Sequence, residues 1–191
     1  MIRTTLAMSA ACAALGACAS MHHREDAPGV LIGERSSLVA LVFVATDCPI
    51  ANAMVPELRS LAAEAKELGI RFYAVHPAPG VDDAQIAAHA REFGTEGAFA
   101  SIVDRNQSLA RATGATVTPE GALLRLDGSG GFERLYLGRV NNLYTAIGRR
   151  RAAPTEHDLR AAMRAAHDGL PIPHPVPKAV GCFIELSPSS R

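Results

Sequence analysis

Residues 38–58 run LVALVFVA at 38–45, then Thr46-Asp47-Cys48-Pro49-Ile50-Ala51-Asn52-Ala53-Met54-Val55-Pro56-Glu57-Leu58. Eight consecutive apolar residues, rich in Val, fit a strand buried on both faces better than one exposed on one side. Proline is favoured at the first helical position, so Cys48-Pro49 opens a helix. Apolar residues then recur at Val55, Leu58, Leu61/Ala62, Ala65 and Leu68, and Gly69 stops the run. Pro56 falls inside that pattern and predicts a kink.

Residues 70–75 read as the next strand. Asp82 with Gln85 three positions on is a helix-capping pair, and the helix it starts puts Ile86, Ala90 and Phe93 on one face before Gly94. Residues 99–103 read as a short strand and 106–113 as a short helix. Residues 121–126 and 134–137 form a hairpin around Asp127-Gly128-Ser129-Gly130-Gly131. Thr155 is expected to cap a last helix carrying Leu159, Met163 and Ala166, closed by Gly169. The order β-α-β-α-β-α-β-β-α predicts an α/β fold, a central mixed sheet flanked by helices, with no internal repeat.

The ends differ in kind from this core. Residues 1–17 carry one early charge, Arg3, and an apolar run from Leu6, the layout of an export signal. The run ends Leu15-Gly16-Ala17-Cys18, which resembles the bacterial lipoprotein box and implies Cys18 as the lipidated residue; a plain secretory signal cut nearby is the alternative. Residues 18–37 read as a polar tether, 38–168 as the domain, and 169–191 as a proline-rich arm. Prolines at 171, 173, 175, 177 and 188 forbid helix and favour extended chain. Within the arm, Gly181-Cys182-Phe183-Ile184 is an apolar island suited to docking.

Composition narrows the function classes. The 191 residues are 48% hydrophobic and 20% charged, enough for one good core, and 19 Lys+Arg against 19 Asp+Glu cancel. A balanced chain without a basic, aromatic-interleaved stretch has no electrostatic claim on nucleic acid. Arg149-Arg150-Arg151 reads as a solvated loop. An exported domain bound to a membrane by a lipid would sit in the bacterial periplasm or cell envelope, where disulfides persist.

The segment from Phe43 to Leu58 resembles the active-site segment of thioredoxin-like proteins, closest to the exported thiol–disulfide oxidoreductases and the alkyl hydroperoxide reductase (redoxin) group. In those families a buried strand ends in Trp-Cys-x-x-Cys and a helix kinked at Pro-Glu-Leu follows. The resemblance implies that Cys48 is the nucleophile. Ala51 stands where the second cysteine would be, and Asp47 replaces the tryptophan. Val117-Thr118-Pro119-Glu120 matches the place of the family's cis proline, which implies that Pro119 faces the nucleophile and shapes a substrate groove.

The chemistry then turns on two thiols. A cysteine at a helix start meets unpaired N–H groups that favour thiolate, whereas an adjacent carboxylate, Asp47, opposes it. Ala51 cannot resolve a mixed disulfide, and Cys182, 134 positions from Cys48, is the remaining thiol of the exported domain besides Cys18. Three relations stay open: a cycling attacking and resolving pair, a permanent disulfide pinning the arm, or thiols that never meet. The first predicts a thiol–disulfide oxidoreductase with a redox partner protein or a disulfide-containing client and no dissociable cofactor. A peroxiredoxin-like peroxidase is the rival, although Ala45 and Leu41 stand where that pattern has Thr and Pro, and Thr118-Pro119 occupies the region of its Arg. A non-catalytic binding module is the third reading, with Cys48, Cys182 and His76 as Cu(I) ligands.

Overall fold

The computed structural model describes residues 29–187 except 34 and 36. The signal at 1–17, Cys18 and most of the tether lie outside the described residues. No described helix is long and apolar enough to cross a membrane.

Five strands form the central sheet. β1 (Leu38–Phe43) lies in the middle, parallel to β2 (Arg71–His76), which is parallel to β3 (Ala100–Val103). On its other side β1 pairs antiparallel with β5 (Glu120–Leu126), and β5 with β6 (Phe132–Gly138), giving the order β3-β2-β1-β5-β6. The remaining strands are two-residue or three-residue pieces: β4 (Val117–Thr118), β7 (Tyr144–Ala146), β8 (Arg149–Arg150) and β9 (Cys182–Phe183). The arginine run thus ends a small exposed hairpin with β7.

The unbroken apolar run of β1 is explained by its position. Ala40, Val42 and Val44 join one core cluster with Leu58, Leu61, Leu159 and Met163, while Val39, Leu41 and Phe43 join a second with Ile102, Leu109 and Leu124. Successive side chains point to opposite faces, and both faces are covered. Val30, in the stretch assigned to the tether, is fully buried in the second cluster.

The helices are α1 (Pro49–Ala53), α2 (Val55–Glu67), α3 (Asp83–Glu92), α4 (Ser108–Thr113) and α5 (Asp158–His167). The kink expected at Pro56 is a full break at Met54, because a proline lacks the N–H for Asn52 O and its ring crowds that carbonyl. Asp82 and Gln85 make the reciprocal capping box. Thr155 does not cap α5, contrary to the sequence expectation. The helix starts three residues later, with His157 at the cap position. Thr155 is instead held by Asn142, whose Nδ2 donates to its Oγ1 and whose Oδ1 accepts from the N–H groups of Thr155 and Glu156. α5 is fastened to α2 by Arg160, which pairs with Glu57 and Glu64, and to the residue after β6 by the Arg139–Asp158 ion pair at 2.6 Å.

The proline-rich arm lies on the domain. Ile172, Val176 and Val180 pack against the first core cluster. The Arg139 N–H donates to Pro177 O at 3.1 Å, and β9 pairs antiparallel with β4, Thr118 opposite Cys182. Strand alternation turns Cys182 and Ile184 inward and leaves Phe183 85% exposed.

Candidate functional site

Cys48 is the residue before α1, at the end of the chain leaving the central strand, and its sulfur is buried at 1% exposure. The Thr118–Pro119 peptide is cis, and Thr118 O lies 3.1 Å from Cys48 Sγ, which donates to it when protonated. Cys182 reaches the same spot from the arm. The two sulfurs are 2.7 Å apart and both cysteines are free thiols. That spacing is longer than the roughly 2.05 Å of a disulfide. The sequence-selected Cys48, Pro119 and Cys182 are therefore brought to one place.

The arm can come this close because of Gly181. A Cβ at that position would stand 2.1 Å from Thr118 O and 2.5 Å from Thr118 C. Gly138 does the same upstream, where a Cβ would meet Pro177 O at 2.6 Å.

The two thiols differ electrostatically. Burial pushes the Cys48 pKa up, but hydrogen bonds outweigh it and hold it below the ordinary thiol value. They come from the Cys182 thiol, the Ala51 N–H, the Thr118 side chain and the Cys182 N–H. Cys182 is pushed up to about 11, first by burial, then by its hydrogen bond to Cys48, the charge on Cys48 and the charge on Asp47. When Cys48 is ionised, the Cys182 S–H is the donor and the Cys48 sulfur the acceptor. Asp47 does not act as the sequence suggested: it is exposed and bears on Cys182, not on Cys48. Ala51, placed where a second cysteine would be, contributes a backbone N–H instead. Among the described residues, no group acting on the Cys48 sulfur carries a positive charge.

A cleft of about 370 Å³ opens beside the pair, lined by Asp47, Pro77, Thr118, Cys182, Phe183 and Glu185 among others. On the other side of α1, Asn52 Nδ2 donates to Thr46 O at 3.0 Å, and Asn52 Oδ1 lies 2.8 Å from His89 Nε2, bracing the loop that precedes Cys48. Burial lowers the His89 pKa, with Glu92 opposing.

The copper set is not assembled. Among the described residues, no three His, Cys, Asp or Glu side chains could hold a metal ion. His76 shares a strand face with Ala74 and lines a pocket with Asn52 and His89, whereas Cys182 lines the cleft.

The Redoxin family model matches residues 34–129, the span that carries Cys48, Thr118 and Pro119. The chain belongs to the Redoxin family. Two solved structures are similar to this redoxin over most of their length. An uncharacterized conserved protein from Geobacillus kaustophilus is 24% identical, with 81% of this chain and 80% of that one covered at a TM-score of 0.66. A hypothetical protein from Sinorhizobium meliloti is 22% identical, covering 80% and 81% at the same TM-score. Among curated proteins no sequence match is found. The fold is thioredoxin-like, a mixed sheet flanked by helices as expected.

Two contributors to the site escaped the sequence reading. The Thr118 hydroxyl gave no signal, since a threonine before a proline is unremarkable. Gly181 was quoted only as part of an apolar island, although a glycine directly before a cysteine is a signal for close backbone approach.

Proposed function

We propose that this redoxin is an exported, lipid-anchored thiol–disulfide oxidoreductase in which Cys48 attacks and Cys182 resolves. The observation that carries the reading is the 2.7 Å sulfur separation between residues 134 positions apart. The Cys48 thiolate attacks one sulfur of a client disulfide, forming a Cys48–client mixed disulfide and releasing the other client sulfur as thiolate. Deprotonated Cys182 then attacks Cys48 Sγ, forming the Cys48–Cys182 disulfide and releasing the second client thiolate. The client gains two electrons and the pair loses two; a partner dithiol returns them by the reverse exchange.

The opposite pKa shifts of the two thiols suit this division, because attack needs a thiolate at neutral pH. The cleft beside Cys182, lined by Thr118 next to the buried Pro119, is the groove that receives the client. The absence of a cationic group at Cys48, among the described residues, favours exchange over peroxide cleavage, which draws on stabilisation of the charge developing on the leaving oxygen. Export and anchoring rest on the Leu15-Gly16-Ala17-Cys18 box, which puts the domain on a membrane face of the cell envelope.

Mass spectrometry of the protein after a disulfide peptide is added tests the cycle. The expected product is an internal Cys48–Cys182 bridge that mild reductant opens, no reaction in Cys48→Ser, and a trapped peptide adduct in Cys182→Ser. A bridge that resists strong reductant in the folded protein makes the pair a structural pin. Peroxide consumption lost in Cys48→Ser would transfer the site to the peroxidase reading. Cys18→Ala should release the protein from the membrane fraction.

A further inference from the structure

The arm does not hold Cys182 in place through β9 alone. Gln107 lies between β3 and α4, 1% exposed, with its side-chain amide fully used. Its Nε2 donates to Pro77 O at 2.8 Å and to Glu185 O at 2.7 Å, and its Oε1 accepts from the Ser187 N–H at 2.7 Å. One amide therefore grips the arm on two successive inward-facing backbone groups, immediately after the strand that carries Cys182. It also ties that arm to the loop following β2. Between these grips and Cys182, the Ile184 N–H donates to Thr116 O at 2.9 Å.

The base of this grip is rigid. The Gln107 N–H donates to Asp104 O at 2.9 Å. Asp104, fully buried, accepts from the N–H groups of Leu109 and Ala110 at 3.2 and 2.9 Å. Gln107 itself sits at φ 56°, ψ 28°, and it is the one non-glycine residue at positive φ among those described. Glycine or asparagine occupies that left-handed region more readily than glutamine. A longer amide kept at an unfavourable backbone angle, and satisfied at every polar atom, points to a task for the side chain.

We infer that Gln107 is a positioning residue for resolution: it latches the arm so that Cys182 stands at Cys48. This rests on the exchange cycle proposed above. Gln107 touches neither sulfur; it acts through the arm, whose upstream approach is set by Gly181 on Thr118 and whose downstream path is set by this amide. Without the latch the first attack by Cys48 proceeds, and the mixed disulfide waits for an arm that samples the site instead of resting on it.

The test follows closure of the bridge in the full-length protein after reaction with a small aromatic disulfide, whose two thiols are released in separate steps. Gln107→Gly removes the amide and relieves the backbone angle, so the fold survives; Gln107→Glu keeps the shape but turns a carboxylate on the carbonyls of Pro77 and Glu185. Both are expected to slow release of the second thiol by roughly 10- to 100-fold, the scale of an ångström-level misplacement. The trapped adduct then accumulates. In a Cys182→Ser background, Gln107→Gly should leave the rate of first-thiol release within about 2-fold, because a residue acting through Cys182 has nothing left to act on. Second-thiol release at the wild-type rate in folded Gln107→Gly overturns the latch and leaves the cycle standing. A Gln107 effect that persists in Cys182→Ser also overturns it. Failure of the unaltered protein to close any bridge overturns the cycle itself.

Discussion

Gly181→Ala is the sharpest perturbation of the site, because it adds one methyl group and removes nothing. The new Cβ would stand 2.1 Å from Thr118 O and 2.5 Å from Thr118 C, and ordinary contact begins at 3.4 Å. The arm must therefore retreat by about 1.3 Å, since the opposing atoms are backbone held between β4 and the start of β5. Such a retreat carries the Cys182 sulfur out of line with Cys48 and loosens the β4–β9 pairing. A misplacement of this size costs on the order of 100-fold in an intramolecular attack. The buried members of both clusters lie outside the arm, whose Val180, Cys182 and Ile184 pack only against their margins. Global stability should change by less than about 1 kcal/mol, the scale of an ordinary surface substitution plus weakened local contacts. Rapid quenching after addition of an aromatic disulfide measures both steps: first-thiol release should slow at neutral pH only through the weakened Cys182 hydrogen bonds to Cys48 and recover at higher pH, while bridge closure slows by about two orders of magnitude. Bridge closure at an unchanged rate, with the protein folded, refutes the claim that resolution depends on this close approach.

Three further outcomes follow from the same geometry. Asp47→Asn removes a charge that raises the Cys182 pKa, so that thiol should ionise below about 11 and closure should accelerate at neutral pH. The pH profile of Cys48 alkylation should not move, since Asp47 is not among the groups acting on Cys48. Thr118→Val keeps the shape and deletes a hydroxyl that lowers the Cys48 pKa. The profile should then shift to higher pH and alkylation at pH 7 should slow, as read from iodoacetamide kinetics. Leu159→Ala empties a fully buried position packed over Gly121 and should cost about 2–5 kcal/mol in urea unfolding.

The sheet was legible because β1 advertises itself: eight Val-rich apolar residues fit a strand covered on both sides, and the Cys48-Pro49 junction fixes where the chain turns into helix. The hairpin of β5 and β6 and the Asp82–Gln85 capping box were equally local signals. Where the reading failed, the deciding interaction was distant in sequence. Thr155 has the residue type of a cap, yet Asn142 claims it first. Asp47 is adjacent to Cys48 in sequence but acts electrostatically on a residue of the arm. His76, a metal ligand only in the third reading, ends its strand as a plain terminus and lines a different pocket. The meeting of Cys48 and Cys182 was open in the sequence, because nothing in a proline-rich arm states where it docks; that is set by Gly138, Gly181 and Gln107, each meaningful only beside its partner.

The separation of the two thiols onto a helix start and an arm has a consequence for the order of events. In the reduced site Cys182 is kept protonated by burial, by donating to Cys48, and by the charges of Cys48 and Asp47. Two of those four causes exist only while Cys48 is a thiolate. Once Cys48 is committed to a mixed disulfide, its charge is gone and its sulfur is a much poorer acceptor, so the Cys182 pKa falls at that moment and not before. Attack thereby arms resolution. Replacing Cys48 with alanine reproduces the uncharged state, and Cys182 in that variant should titrate below about 11, with burial and Asp47 still holding it above an ordinary thiol. A Cys182 that titrates unchanged in Cys48→Ala would mean that the environment alone sets its pKa, and the two steps would then be independent.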